Sequence, residues 1–183
     1  MNNVLTTIFE RNSCRNFSPA PLSSEHVEIL VKAALAAPSA VNRQPWHIIA
    51  VTNKQLIEEM DGQILDDIKQ NNPDWYNRMV ERGGKIFYDA PCLIIIARDS
   101  SDYAVLDAGI VSQNIALAAH SIGLGNVICG MARGAFDGEK GEENKKRLGF
   151  PDGYVFGMSV CVGEAISGKE PHELDFNKVT YVK

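Results

Sequence analysis

Apolar residues recur at helical spacing in the first turns of the chain, at Val4, Leu5, Ile8 and Phe9. This pattern predicts a short amphipathic helix that ends near Arg11–Asn12. An extended link follows in "SPAPLSS", where two prolines fix the backbone and bias the preceding residues away from helix. Ser23 or Ser24 then caps a second helix that carries Val27, Leu30, Val31, Ala34 and Leu35 on one face. Pro38 stops that helix at about Ala37. "WHIIAVT", Trp46 to Thr52, reads as a buried strand, and Asn53 as the cap of a helix from Lys54 to Lys69.

"NNPDWYNRMVERGGK" is a polar connection with some helix. The run of branched residues from Leu93 to Ala97 is the clearest strand and predicts a central position in a sheet. Tyr103 to Ile122 is the longest apolar helix. It is apolar around most of its circumference, which predicts burial on several sides, against its own sheet and against a partner subunit. "GLGNVICG" turns into another strand, Glu139 to Leu148 is a charged helix, and "YVFGMSVCVGEA" is a strand with small residues. "NKVTYVK" ends the chain as a strand-like tail. Helices come first, then strands interleaved with helices. The expected class is α+β, one domain over residues 1–183 with a mixed central sheet flanked by helices.

Bulk properties narrow the function. A length of 183 residues suits a single domain with a real core. A net charge of −5 argues against non-specific nucleic-acid binding. No apolar run reaches membrane-spanning length. The N-terminus lacks a basic segment followed by a long apolar stretch, so no signal peptide is expected. Cys14, Cys92, Cys129 and Cys161 are scattered without zinc or C-x-x-C spacing. They read as buried, reduced cysteines of a cytoplasmic protein.

Three stretches carry candidate chemistry. "RNSCR" packs Arg11, Ser13 and Arg15 into five residues. Guanidinium forks match phosphate geometry and the hydroxyl adds a hydrogen bond. The alternative is that both arginines pair with surface acids such as Glu10. "APSAVNRQPW" holds Ser39, Asn42 and Gln44 between Pro38 and Pro45. Pinned amides suit the edge of a heterocycle, and they also suit a capped turn with incidental polar residues. "GLGNVICGMARG" contributes Gly123, Gly125, Gly130 and Gly134, which permit close approach to something flat or tight. It does not place G-x-G-x-x-G between a first strand and a helix, so a dinucleotide fold is not supported. G-x-S-x-G, P-loop and H-E-x-x-H motifs are absent from the sequence, and His26, His47, His120 and His172 are dispersed. An enzyme of this kind would take its reactivity from an organic cofactor.

Taken in order, these stretches resemble the nitroreductase family of FMN-dependent oxidoreductases. "RNSCRNF" matches the family's R-R-S-x-R-x-F, and "APSAVNRQPWHIIAV" its A-P-S-x-x-N-x-Q-P-W-x-F-x-V. "APCLIII", "GLGNVICG" and "LGFPDGYVFGMSVCVGEA" continue the match over nearly the whole chain. The resemblance implies a homodimer with FMN sites at its interface and the C-terminal strand exchanged onto the partner. It implies that Arg11, Ser13 and Arg15 hold the phosphate and ribityl region. Pro38, Ser39, Ala40 and Asn42 would come from the partner subunit to line the isoalloxazine, with Gln44 nearby. The backbone at Gly130 and Met131 would face flavin N5. Lys85 is expected near the pyrimidine edge. By the same resemblance NAD(P)H passes hydride to FMN and leaves, and an oxidised acceptor such as a nitroaromatic or quinone follows on the same face, in ping-pong order. No side chain is expected to be catalytic in its own right. Two positions depart from the family pattern: Asn12 replaces its second arginine and Ala40 a common serine. The family's late phosphate-binding arginine has Lys169 or His172 in its neighbourhood here. A flavin-binding protein for storage, sensing or flavin modification is the competing reading.

Overall fold

The computed structural model describes residues 2–81 and 83–183; Arg82, in the polar connection, and the side chain of Glu139 lie outside the described residues. Helix α1 spans Asn3–Glu10, with the Asn2 carboxamide accepting from Leu5 N at 3.0 Å. Helix α2 spans Ser24–Leu35 and is capped by Ser23, which accepts from His26 N at 3.2 Å. Helix α3 spans Lys54–Asn71, capped by Asn53. The polar connection supplies α4, Pro73–Glu81, whose first residue is a proline, a position where the missing N–H costs nothing. Helices α5 (Ala104–Ser121) and α6 (Gly138–Arg147) follow within two residues of their expected ends.

Strands β1 (Trp46–Val51), β2 (Cys92–Arg98), β3 (Gly125–Ile128) and β4 (Val155–Gly163) form one sheet in the order β1-β2-β4-β3. Strand β2 is central, as its branched run predicts. All three pairings are antiparallel, so the sheet within this chain is not mixed as expected. A mixed sheet would require a strand from outside the chain.

Side chains alternate across the sheet with a period of two. Leu93 and Ile95 join Val127 and Cys161 in a core closed by α3 and α4. Cys92, Ile94 and Ile96 join Val160 and Val162 in a second core closed by α2 and α5. All four cysteines are free and buried.

Two expectations concern surfaces that a partner subunit would cover. The tail "NKVTYVK" has no ladder partner among the described residues of its own chain and begins within a 3-10 turn at Phe176–Lys178. From Glu164 to Lys183 every residue but Pro171 is exposed. Helix α5 buries one face through Ala108, Val111, Ile115 and Ala119, but Val105, Leu106 and Ile110 stay exposed. Beside it, α1 buries none of its residues, and Val4, Leu5, Ile8 and Phe9 all face outward.

Candidate cofactor site

The segment Arg11–Asn16 leaves α1 and runs between the start of β3 and the chain that leaves β4. Cys14 N donates to Asn126 O at 2.9 Å, Ile166 N to Asn16 O at 3.0 Å, and Ser18 N to Glu164 O at 2.8 Å. Phe17 bridges Ala165. Gly125 makes this fit possible, because a Cβ there would lie 2.9 Å from Ala165 Cβ and 3.0 Å from Cys14 Cβ and Sγ. The close approach expected of this glycine is therefore to its own chain.

Arg11 is half-buried and reaches Asn126 Oδ1 at a long 3.5 Å. Burial lowers its pKa from the ordinary value, but a guanidinium stays charged. Asn126 in turn donates to Ala116 O at 3.1 Å, which fixes its orientation. The Arg15 guanidinium lies 6.0 Å from the ring centroid of Tyr88. Asn12 donates to Glu10 O at 3.4 Å. Among the described residues neither arginine forms an ion pair, and the Ser13 hydroxyl has no hydrogen-bond partner. The alternative in which Glu10 neutralises the arginines is not realised. Ser167 approaches this segment, with Asn16 Nδ2 donating to its hydroxyl at 3.3 Å, which brings Lys169 to within two residues of the cluster along the chain. His172 follows farther along the exposed tail. Two guanidiniums without an ion pair and a hydroxyl without a partner are groups that could hold an anion.

The segment Pro38–Gln44 is built differently. Val41, Asn42 and Gln44 sit at φ of 48°, 54° and 50°, in the left-handed region. For a branched residue such as Val41 this is a costly conformation, about 1–2 kcal/mol. Local bonds hold it: Gln44 N donates to Ser39 Oγ at 2.8 Å, Gln44 Nε2 to Asn42 Oδ1 at 2.9 Å, and Ala40 N to Asp107 Oδ1 at 3.3 Å. Arg43 pairs with Asp99 at 3.3 Å. Val41 at the tip is 96% exposed.

Gly130 and Met131 open the 3-10 segment Gly130–Phe136 at the end of β3. Cys129 is anchored just before them, its N donating to Ser159 O at 2.8 Å and its O accepting from Ser159 Oγ at 2.7 Å. The neighbouring Cys161 thiol pulls the Cys129 thiol down in pKa, while the same neighbour and burial push Cys161 up. Lys85 pairs with Asp89 at 3.0 Å and lines a cavity whose walls do not include Arg11, Ser13 or Arg15.

The register separates the first two groups. Trp46, directly after the strained loop, is level with Arg98 and through it with Val155. Asn126, which holds Arg11, is level with Val162. At about 3.3 Å per residue the two groups lie roughly 20 Å apart along the sheet. One chain brings Arg11, Ser13 and Arg15 together, and it does not bring Pro38, Ser39, Ala40, Asn42 or Gln44 to them.

Asn126, Asp107 and Tyr88 escaped the sequence reading. The first two are polar residues inside apolar runs, a signal that was there to be used; the contact of Tyr88 leaves no trace in local sequence. Among the described residues no group of His, Cys, Asp and Glu could hold a metal. No described helix is long and apolar enough to cross a membrane.

The nitroreductase family model matches residues 8–164. A nitroreductase with bound FMN from Desulfitobacterium hafniense superposes over 100% of both chains, with 46% identity and a TM-score of 0.96. An FMN-dependent nitroreductase from Clostridium difficile covers 99% of both chains with 31% identity and a TM-score of 0.85. A Methanothermobacter thermautotrophicus protein, named as a candidate NADH dehydrogenase/NAD(P)H nitroreductase, is 38% identical over 133 residues, which are 70% of this chain and 61% of that relative.

Proposed function

The chain belongs to the nitroreductase family, and from that premise we propose that it is an FMN-dependent NAD(P)H oxidoreductase whose site is completed by a second copy of the chain. The residues fit the cofactor. The unpaired Arg11 and Arg15 and the free Ser13 hydroxyl are the donors a phosphomonoester needs. Lys169, carried alongside by the contact of Ser167 with Asn16, is the better placed of the two late basic residues to add charge there. The carrying observation is the separation of the arginine cluster from the strained loop by about 20 Å along one sheet.

A homodimer resolves this separation. The exposed apolar residues of α1 and α5 give the two chains a face to share. The exposed tail supplies Val179, Tyr181 and Val182 to the partner's free sheet edge, the strand exchange that the family resemblance implies. The partner's loop then presents Pro38, Ser39, Ala40 and Asn42 to the isoalloxazine, with Gln44 holding Asn42 in place.

When bound, FMN supplies the hydride chemistry. The chain's own groups do the rest. The loop is already strained into shape, so it orients the ring without ordering cost at the moment of reaction. Gly130 carries no side chain to screen the backbone on the N5 side. Cys129 O is tied to Ser159, which keeps that backbone in place. NAD(P)H and the oxidised acceptor, a nitroaromatic or quinone, use the same open face in turn.

The test is direct. The purified protein is yellow and dimeric, and anaerobic NADH or NADPH bleaches it; comparing the two fixes the coenzyme. A quinone or nitroaromatic then restores the colour. A yellow protein indifferent to both nucleotides supports a storage or sensing role, and a colourless protein that takes up no FMN ends both readings.

A further inference from the structure

A cavity of about 670 Å³ opens between α3, the proline link and the segment Gly84–Pro91. Its volume lies inside the range of small-molecule sites. Of the residues assigned to FMN above, only Lys85 touches it. Phe17, Ile57, Leu65, Phe87 and Pro91 give it apolar walls. Two exposed ion pairs frame its mouth, Lys54–Glu58 at 3.6 Å and Lys85–Asp89 at 3.0 Å.

Asp61 lies at the inner end and is 7% exposed. Its Oδ1 accepts from Ile86 N and Phe87 N, both at 2.8 Å. Oδ2 accepts no hydrogen bond among the described residues, and it is not among the atoms sealed in protein without a partner. The open space beside it is this cavity. Both lysines are already answered by their own acids, whereas Asp61 forms no ion pair among the described residues, although Lys85 is near enough to favour its charged form. Among the described lining residues Glu58, Asp61 and Asp89 stand against Lys54 and Lys85, one negative charge in excess.

We infer that this cavity binds a small aromatic or alicyclic amine, its apolar body between Phe17, Ile57, Leu65 and Phe87 and its ammonium on Asp61 Oδ2. A buried carboxylate with an unanswered oxygen is costly, and a cation delivered to it offsets that cost. Burial indeed raises the pKa of Asp61 above the ordinary carboxylate value in the absence of such a partner. An anion, including the C-terminal carboxylate of a second copy, meets the wrong sign of charge. The segment Gly84–Ala90 forms the wall between this site and the flavin site: Tyr88, at φ 58°, contacts Arg15, while Phe87 and Asp89 line the cavity.

Calorimetry on the flavin-loaded protein with tryptamine and with indole-3-propionate, of similar size and opposite charge, tests the inference. Tryptamine is expected to bind at least tenfold more tightly, and Asp61→Asn to abolish that preference. The carboxamide oxygen of that variant still accepts from both backbone N–H groups, so the loop is retained. Gly62→Leu is the second variant. Gly62 lines the cavity, and an added Cβ there meets no atom within 4 Å. The substitution should abolish tryptamine binding and leave flavin content unchanged, and it decides the matter if Asp61→Asn does not fold. Tryptamine that binds no more tightly than the propionate, or as tightly in Gly62→Leu, overturns the inference. So does a crystal structure with the tail of a second copy in the cavity. These readouts use no turnover, so they stand apart from the assignment of the oxidoreductase activity.

Discussion

The arginine cluster and the strained loop solve opposite problems. At Arg11–Asn16 none of the residues has a left-handed φ, but among the described residues the two guanidiniums have no ion pair, only a long bond to Asn126 and a contact with Tyr88, and the Ser13 hydroxyl has no hydrogen-bond partner. At Pro38–Gln44 the polar groups are tied inward, to Ser39, Asn42, Asp99 and Asp107, and the backbone carries the strain. On the proposed reading the first region serves affinity, since charge without an ion pair is worth most when an anion arrives. On the same reading the second serves orientation, since a loop held in an uncommon conformation has little freedom left to lose. The two regions therefore answer differently to mutation.

The largest effect is expected at the cluster. Arg11→Ala removes a charge-assisted contact worth roughly 1.5–3 kcal/mol, about a ten- to hundredfold loss of FMN affinity by flavin-fluorescence titration. The melting temperature should fall in the holoprotein and hardly at all in the apoprotein, because bound ligand stabilises by mass action. An equal fall in both would make Arg11 a structural residue and erase the contrast.

Gly125→Val tests whether the cluster depends on close packing. The new side chain meets Ala165 and Cys14 at once. Overpacking of this kind costs about 1–3 kcal/mol, and here it should lower the apoprotein melting temperature together with FMN affinity. A variant that keeps both would show that the segment shifts without consequence.

Val41→Gly reverses the sign. It relieves the left-handed strain, worth about 1–2 kcal/mol, against an entropic penalty of roughly 0.5–1 kcal/mol. A net gain of about 0.5–1 kcal/mol in apoprotein stability is expected, with slower flavin reduction by stopped flow. Faster or unchanged reduction would deny the loop its orienting role.

The smallest effect is expected at Cys129→Ser. The thiol is buried and points to Ile86 O at 3.6 Å, a contact a hydroxyl can also make. Its neighbour Cys161 is fully buried, and nothing in the hydride chemistry requires a dithiol. Stopped-flow reduction at saturating FMN should change by less than about threefold; a thousandfold loss, or roughly 4 kcal/mol in barrier, with flavin still bound would make the thiol catalytic.

What the sequence determined by itself is whatever a few neighbouring residues decide. Ser23 and Asn53 start their helices because a side-chain oxygen three residues away satisfies an N–H. The branched run at Leu93–Ala97 could only be an inner strand. The residue types at Ser39–Gln44 announced a pinned polar turn, and those at Arg11–Arg15 offered an anion site or surface ion pairs. Only the tertiary structure decided what these pieces mean together. Strand pairing is a long-range choice, so the antiparallel register and the missing partner of the tail could not be read locally. Tyr88 under Arg15, Asn126 against Arg11 and Asp107 beneath Ala40 are each contacts between residues more than sixty positions apart. Local propensity acts over about one helical turn, whereas the distance between the arginine segment and the strained loop, the two halves of the proposed flavin site, is set by the sheet on which both are mounted.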